Sequence, residues 1–251
     1  MISEPIRLRV RGPFACFTRP EFKVERVSYP VITPSAARGV LEAILMKPIE
    51  KPESGKRGNK TGFRWRVLRI GVVKEGLLAP ILRNELKTRK IAFSGQAMLP
   101  VDVSNAEQTH TQRHSLILKD VEYLIEAVIE VPEEVRKFSR EFLIAKYHQM
   151  FLRRATRGQC FHRPYLGCRE FSCDFELAPD AEPPIFAKDY GRMLRDLDFA
   201  PLWSEWKDGM PRPQQWPVLQ RTSFHAKAME GWITVARVVE RSGKPEVEDL
   251  C

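Results

Sequence analysis

The chain has 251 residues and a mass of 29.0 kDa, enough to bury one large core with a small appendage. Hydrophobic residues at 43% and charged residues at 29% are ordinary for a globular protein, no apolar run approaches the roughly 18 residues of a membrane span, and the start MISEPIRLRVRG lacks an apolar signal core, which predicts a cytoplasmic protein. Forty-one Lys and Arg against 32 Asp and Glu give +9 and a pI near 9.4, favouring a polyanionic partner, while five cysteines without a CxxC pair point away from a zinc site or a disulfide framework.

Along the chain, residues 5–11 alternate Ile6, Leu8 and Val10 with Arg7, Arg9 and Arg11, the period-2 pattern of a half-buried strand whose outer face is arginine. The stretch to Thr33 carries Arg19, Lys23, Arg26 and Tyr29 and reads as an extended connection. A first helix opens at Thr33, Pro34 and Ser35, runs apolar at helical spacing and stops before Pro48. Residues 51–62 form a polar, basic loop, and FRWRVLRIGVV is a strand. Residues 86–119 have no clean period and read as a long insertion, a candidate hairpin arm carrying His110 and His114 that face RNA or solvent. VEYLIEAVIEV is a clear strand ending at Pro132, after which a long helix runs to Gly158.

With PYLGCREF as the fourth strand, the order is βαββαβ, an α+β arrangement of an antiparallel sheet backed by two helices. The chain then divides into residues 1–171, with the arm at about 86–119, and a smaller, mainly β unit at 172–251. That unit is rich in proline and tryptophan, with Trp203, Trp206 and Trp216, a strand at GWITVARVVE and an acidic tail.

The candidate site lies on the second helix, where Lys146, Gln149, Met150, Arg153 and Arg157 share one stripe at about 100° per residue. The segment behind it, GQCFHRPYLGCREF, adds Arg163 and Arg169 among Phe161, Tyr165 and Phe171. From Arg140 to Glu170 there are seven Lys or Arg against two Glu, a surplus of five in a net nine. A basic stripe is commonly just a solvated helix face, but interleaved rings are what a phosphate chain with unstacked bases selects. Gly158 and Gly167 bracket the rings, as sites of close backbone approach or as a helix cap and a turn.

The run KYHQMFLRRATRGQCFHRPYLGCREF, with SYPVITPSAARGVLEAILMKP, PILRNE and the strand 121–131, resembles the fifth family of CRISPR-associated proteins in its subtype I-C form, over most of the chain. The resemblance implies a ferredoxin-like, RRM-like core with a hairpin arm. It also implies a metal-independent endoribonuclease, without cofactor, that cuts precursor CRISPR RNA in the repeat by 2′-hydroxyl attack. Such a protein keeps the crRNA 5′ handle and joins the backbone and large subunits of the Cascade complex. Target DNA is met only through that complex.

By the same resemblance, Lys146 takes the place of the family's lysine and stabilises charge. The adjacent histidine is displaced by one residue, so that Tyr147 or His148 serves as general base or acid. The family's tyrosine late in the first helix falls at Leu45, and its role is vacant or moved to a residue such as Tyr29. Arg19, Lys23, Arg26, Arg153, Arg154, Arg157, His162, Arg163 and Arg169 are the expected RNA contacts, and no metal ligands are expected. The competing readings are a clasp that binds the 5′ handle without cutting, and a subunit that binds DNA or only protein.

Overall fold

A computed structural model describes residues 1–22, 24–47, 62–86, 110–132, 138–198, 220–241 and 243–250. Strand β1 (Ile6–Ala15) obeys its alternation, with Ile6, Leu8 and Val10 buried. After the two-residue β2 (Arg26–Val27), helix α1 (Pro34–Ile44) opens on Thr33, whose hydroxyl accepts from the Ala36 N–H, and buries Ala37, Val40, Leu41 and Ile44.

Strand β3 (Arg64–Lys74) is bulged between Val67 and Arg69, so Trp65 and Val67 before the bulge and Ile70 and Val72 after it all point into the core. Leu68 consequently packs on the other face with Val128 and Ala236, a switch that simple alternation does not foresee. Strand β4 (Leu77–Leu86) pairs with the first half of β5 (His110–Glu130), from Leu77 opposite Lys119 to Leu86 opposite His110. The expected arm is therefore a hairpin rooted at residue 77, and residues 87–109 lie outside the described residues. Asp120, at φ 56°, marks the joint in β5 between the arm half and the sheet half.

Helix α2 (Arg140–Thr156) is capped by the Ser139 hydroxyl, which accepts from the Phe142 N–H. It begins at Arg140; residues 133–137, where the sequence suggests an earlier start, are outside the described residues.

The fourth strand is not PYLGCREF but β6 (Asp174–Leu177), which pairs with Leu8–Arg11. Pro164 has no N–H for a ladder and Gly167 sits at φ 86°, so the earlier segment folds as a loop, tied by Leu166 N–H to Phe171 O at 2.8 Å. With β6 in place the sheet runs β6-β1-β5-β3, the spatial order that a βαββαβ chain requires.

Beyond β3 the sheet continues through β9 (Trp232–Thr234), β8 (Gln220–Met229) and β7 (Lys188–Asp198), so residues 1–171 and 172–251 share one sheet. GWITVARVVE is two strands rather than one: the chain leaves the sheet at Val235, and β10 (Ala236–Arg241) pairs instead with β11 (Lys244–Asp249). The acidic tail is thus half of a hairpin, where Arg237 and Arg241 both bond Glu248. Trp203, Trp206 and Trp216 fall outside the described residues.

One sheet face meets the helices: α1 packs on β3 and β7, α2 on β5 and β6, and the helices touch each other. Each fully buried Leu, Ile or Phe there contributes about 1.5–3 kcal/mol. The opposite face is ionic. Arg7 and Arg69 both hold Glu126, Arg9 faces Glu122, and the Trp232 ring packs against Gly71 within cation–π range of both the Arg7 and Arg69 guanidinium groups. No described helix is long and apolar enough to cross a membrane.

Candidate nucleic-acid interface

Helix α2 sorts its residues by angle. Leu143, Ile144, Tyr147, Phe151 and Ala155 form the buried stripe, and Lys146, Arg153 and Arg157 lie within about 20° of one exposed line. Among the described residues these three cations have no hydrogen-bond or ion-pair partner. The helix is continuous through residue 148, so His148 projects about 200° away from Lys146, half-buried on the other flank. The structure therefore groups Lys146 with Arg153 and Arg157 but does not group His148 with them.

Tyr147 is a correction. Only 4% exposed, it packs its ring 4.9 Å from Phe63, because it occupies the centre of the apolar stripe. Leu45 is also wholly buried, with its carbonyl accepting from Trp65 Nε1–H at 2.9 Å. Tyr29 is buried beyond the opposite, N-terminal end of α1, under the Arg19 guanidinium, and burial raises its pKa. Neither residue stands beside Lys146 as a proton-transfer group.

The loop after α2 crosses α1 from end to end. Phe161 N–H and His162 N–H both point at Ala43 O, at 2.8 and 3.3 Å, and Leu166 O accepts from Cys16 N–H at 3.0 Å. Phe161 is 83% exposed, His162 stands 5.9 Å from it, and Tyr165 follows 6.3 Å further. The two glycines differ in kind. Gly158, at φ 64°, has open space where a Cβ would go and serves as a helix cap; at Gly167 a Cβ would lie 2.0 Å from Cys16 O. Tyr165 and Gly167 line an open cleft of about 320 Å³, with Thr18, Thr33, Ser35 and Arg38.

The expected RNA contacts divide into two groups. The side chains of Arg153, Arg157, His162 and Arg169 are exposed with no hydrogen-bond or ion-pair partner among the described residues. The others hold protein: Arg154 donates to Ile44 O at 2.7 Å, Arg163 pairs with Asp174, Arg19 covers Tyr29, and Arg26 donates to Cys168 Sγ at 3.0 Å. Lys23 lies outside the described residues. Among the described residues no cluster of three His, Cys, Asp or Glu side chains is placed to hold a metal ion.

The family model described as CRISPR-associated protein (Cas_Cas5) matches residues 6–236. This chain belongs to the Cas5 family of CRISPR-associated proteins. A Cas5 relative from Thermus thermophilus, the "CRISPR pre-crRNA endoribonuclease Cas5d", is 42% identical over 235 residues, covering 92% of this chain and 90% of that protein. A protein of the same name from Mannheimia succiniciproducens is 41% identical over 212 residues, 79% of this chain and 87% of its own length. Two solved structures share the fold of this chain at low identity. One described as a CRISPR-associated protein has a TM-score of 0.58 at 19% identity, covering 99% of this chain and 98% of the other. The other, the functionally uncharacterized SMU1763c from Streptococcus mutans, has a TM-score of 0.57 at 18% identity with the same coverage.

In this Cas5 chain, sequence reading missed the cleft and the Cys16, Arg26 and Cys168 cluster beside it. No local signal marks them, since their members come from β1, β2 and a loop some 140 positions further on.

Proposed function

We propose that the chain is an endoribonuclease that cuts precursor CRISPR RNA within the repeat and then keeps the 5′ handle as a subunit of a type I-C Cascade complex in the cytoplasm. The observation that carries this reading is the exposed line Lys146, Arg153, Arg157, whose side chains have no partner among the described residues, running into the ring-bearing loop. It is supported by the name of the 42% identical Thermus protein. Cations at this spacing grip successive phosphates, and exposed rings receive unstacked bases.

The chemistry is internal to the RNA. The ribose 2′ oxygen attacks the adjacent phosphorus, the bond to the 5′ oxygen breaks, and a 2′,3′-cyclic phosphate remains without any metal. Lys146 stabilises the extra negative charge on the phosphorane. With Tyr147 in the core, His148 takes the general base or acid role from the other flank of the helix, where it meets the RNA only if the strand bends around α2.

The test mixes the purified chain with repeat RNA in EDTA. A product with a cyclic phosphate end is expected, lost in Lys146→Ala by 100-fold or more on the scale of about 10²–10³ for one charge-stabilising group, with RNA binding retained. Persistent cleavage by Lys146→Ala would overturn the assignment. A second reading is a clasp that binds the handle without cutting. The burial of Leu45 and the opposite flanks of Lys146 and His148 favour it. Tight binding with no product in the wild-type protein would establish it.

A further inference from the structure

Four cysteines are described, and two of them meet. Cys16, at the end of β1, and Cys168, in the loop behind α2, are 1% and 6% exposed. Their backbones touch: Cys16 N–H donates to Leu166 O at 3.0 Å, and Gly167 has no room for a Cβ against Cys16 O. The Cys168 thiol donates to Cys16 O at 3.8 Å and its Sγ accepts from Arg26 Nη1–H at 3.0 Å. Cys16 and Cys168 pack in one buried cluster with Ile117, the proximity that a disulfide needs. Cys16 and Gly167, the residue before Cys168, also line the open cleft.

We propose that Cys168 and Cys16 are an oxidisable thiol pair, in which Cys168 reacts with a hydroperoxide and Cys16 resolves the product as a disulfide. The two sulfurs are driven apart in acidity. Hydrogen bonding from Cys16 and the Arg26 charge pull Cys168 below the ordinary thiol range, and the same contact with burial pushes Cys16 up. Cys168, with the Arg26 guanidinium 3.0 Å from its sulfur, takes the nucleophile's role and Cys16 the resolving one.

The steps balance. The Cys168 thiolate attacks one oxygen of the peroxide, the O–O bond breaks, and hydroxide leaves a sulfenic acid. The Cys16 sulfur then attacks the Cys168 sulfur, the S–O bond breaks, the thiol proton joins the departing oxygen as water, and the S–S bond forms. Two electrons pass from two thiols to one peroxide. The disulfide ties the ring-bearing loop to β1 and takes the sulfur acceptor from Arg26, which keeps Glu85 at 3.9 Å. This inference does not depend on the RNA chemistry.

The experiment exposes the full-length protein to a small excess of hydrogen peroxide and maps the peptides without reduction. The expected result is a Cys16–Cys168 link with a loss of about 2 Da, reversed by thiol reductant. Cys16→Ser should instead accumulate a sulfenic acid at Cys168 that dimedone traps, and Cys168→Ser should form neither product. Because a cysteine change in so tight a contact risks the fold, Arg26→Met is the second variant. It keeps both thiols, and it should slow peroxide consumption at Cys168 by about tenfold while circular dichroism stays unchanged. Oxidation that appears at Cys160 or Cys251 while Cys16 and Cys168 remain free thiols would overturn the proposal. An unchanged rate in folded Arg26→Met would do the same.

Discussion

Glu126 illustrates how single residues govern this protein. Burial pushes its carboxyl up, but hydrogen bonds from Arg69 and Arg7 outweigh burial and leave its pKa below the ordinary carboxylate value. A carboxylate depressed in the folded state stabilises above its unfolded pKa of about 4.3, and that stability is lost as pH falls through the folded value. The gap in melting temperature between wild type and Glu126→Gln should therefore be constant above about pH 6 and narrow progressively as pH falls below the unfolded value. A gap of unchanged size from pH 6 down to about pH 2 would show that the ion pair is not its source. On α2 the cations act singly. Removing Arg153 or Arg157 should weaken RNA binding and flatten its salt slope by about one unit each, as one lost phosphate contact does. Arg154→Ala should instead leave the slope unchanged and lower the melting temperature, since its guanidinium already serves Ile44 O.

At the level of elements, the loop from Gly158 to Ser172 is built on hydrogen bonds rather than on a ladder. Its anchor points are Ala43 O at one end and the Cys16 backbone at the other. Gly167 permits the second anchor, with φ 86° and backbone contact on Cys16. Gly167→Ala should strain both, at a cost of about 2 kcal/mol or more, and lower the melting temperature by about 4–8 °C. It should also weaken RNA binding, because Phe161, His162 and Arg169 ride on that loop. Gly158→Ala, with open space at its Cβ, should show only the smaller left-handed backbone cost. Equal melting temperatures for the two variants would contradict the close-contact argument.

At the level of the whole molecule, the last third completes a sheet that the first part leaves open. Strand β9 covers the β3 edge at Arg69–Gly71, and the Trp232 ring packs against Gly71 with the Arg7 and Arg69 guanidinium groups 5.1 and 4.1 Å from its centroid. A chain ending at residue 178 keeps β6 but exposes that edge and loses the Trp232 contacts. An unpaired edge of this kind invites pairing with a second chain. Size-exclusion chromatography of such a truncation should show oligomers or aggregate where the full chain does not. A monodisperse, stable fragment would mean that the two parts fold independently despite their shared sheet.

Much of the architecture was written in local pattern. Period-2 alternation placed β1, β3 and β5, cap chemistry at Thr33 placed the start of α1 and Gly158 the end of α2, and the surplus of positive charge pointed to the face of α2. Those signals are readable because they depend on residues a few positions apart. What the sequence left open required contacts between distant segments. Proline and glycine turned PYLGCREF into a loop and moved the fourth strand to β6, a bulge reversed the facing of β3, and the apolar face of α2 drew Tyr147 inward, away from the exposed cations. Which arginines remain open to RNA, and which thiols meet, was likewise decided only where the folded chain brought in Ile44, Asp174, Tyr29 and Cys168 as their partners, since a charge count says nothing of what each charge will touch.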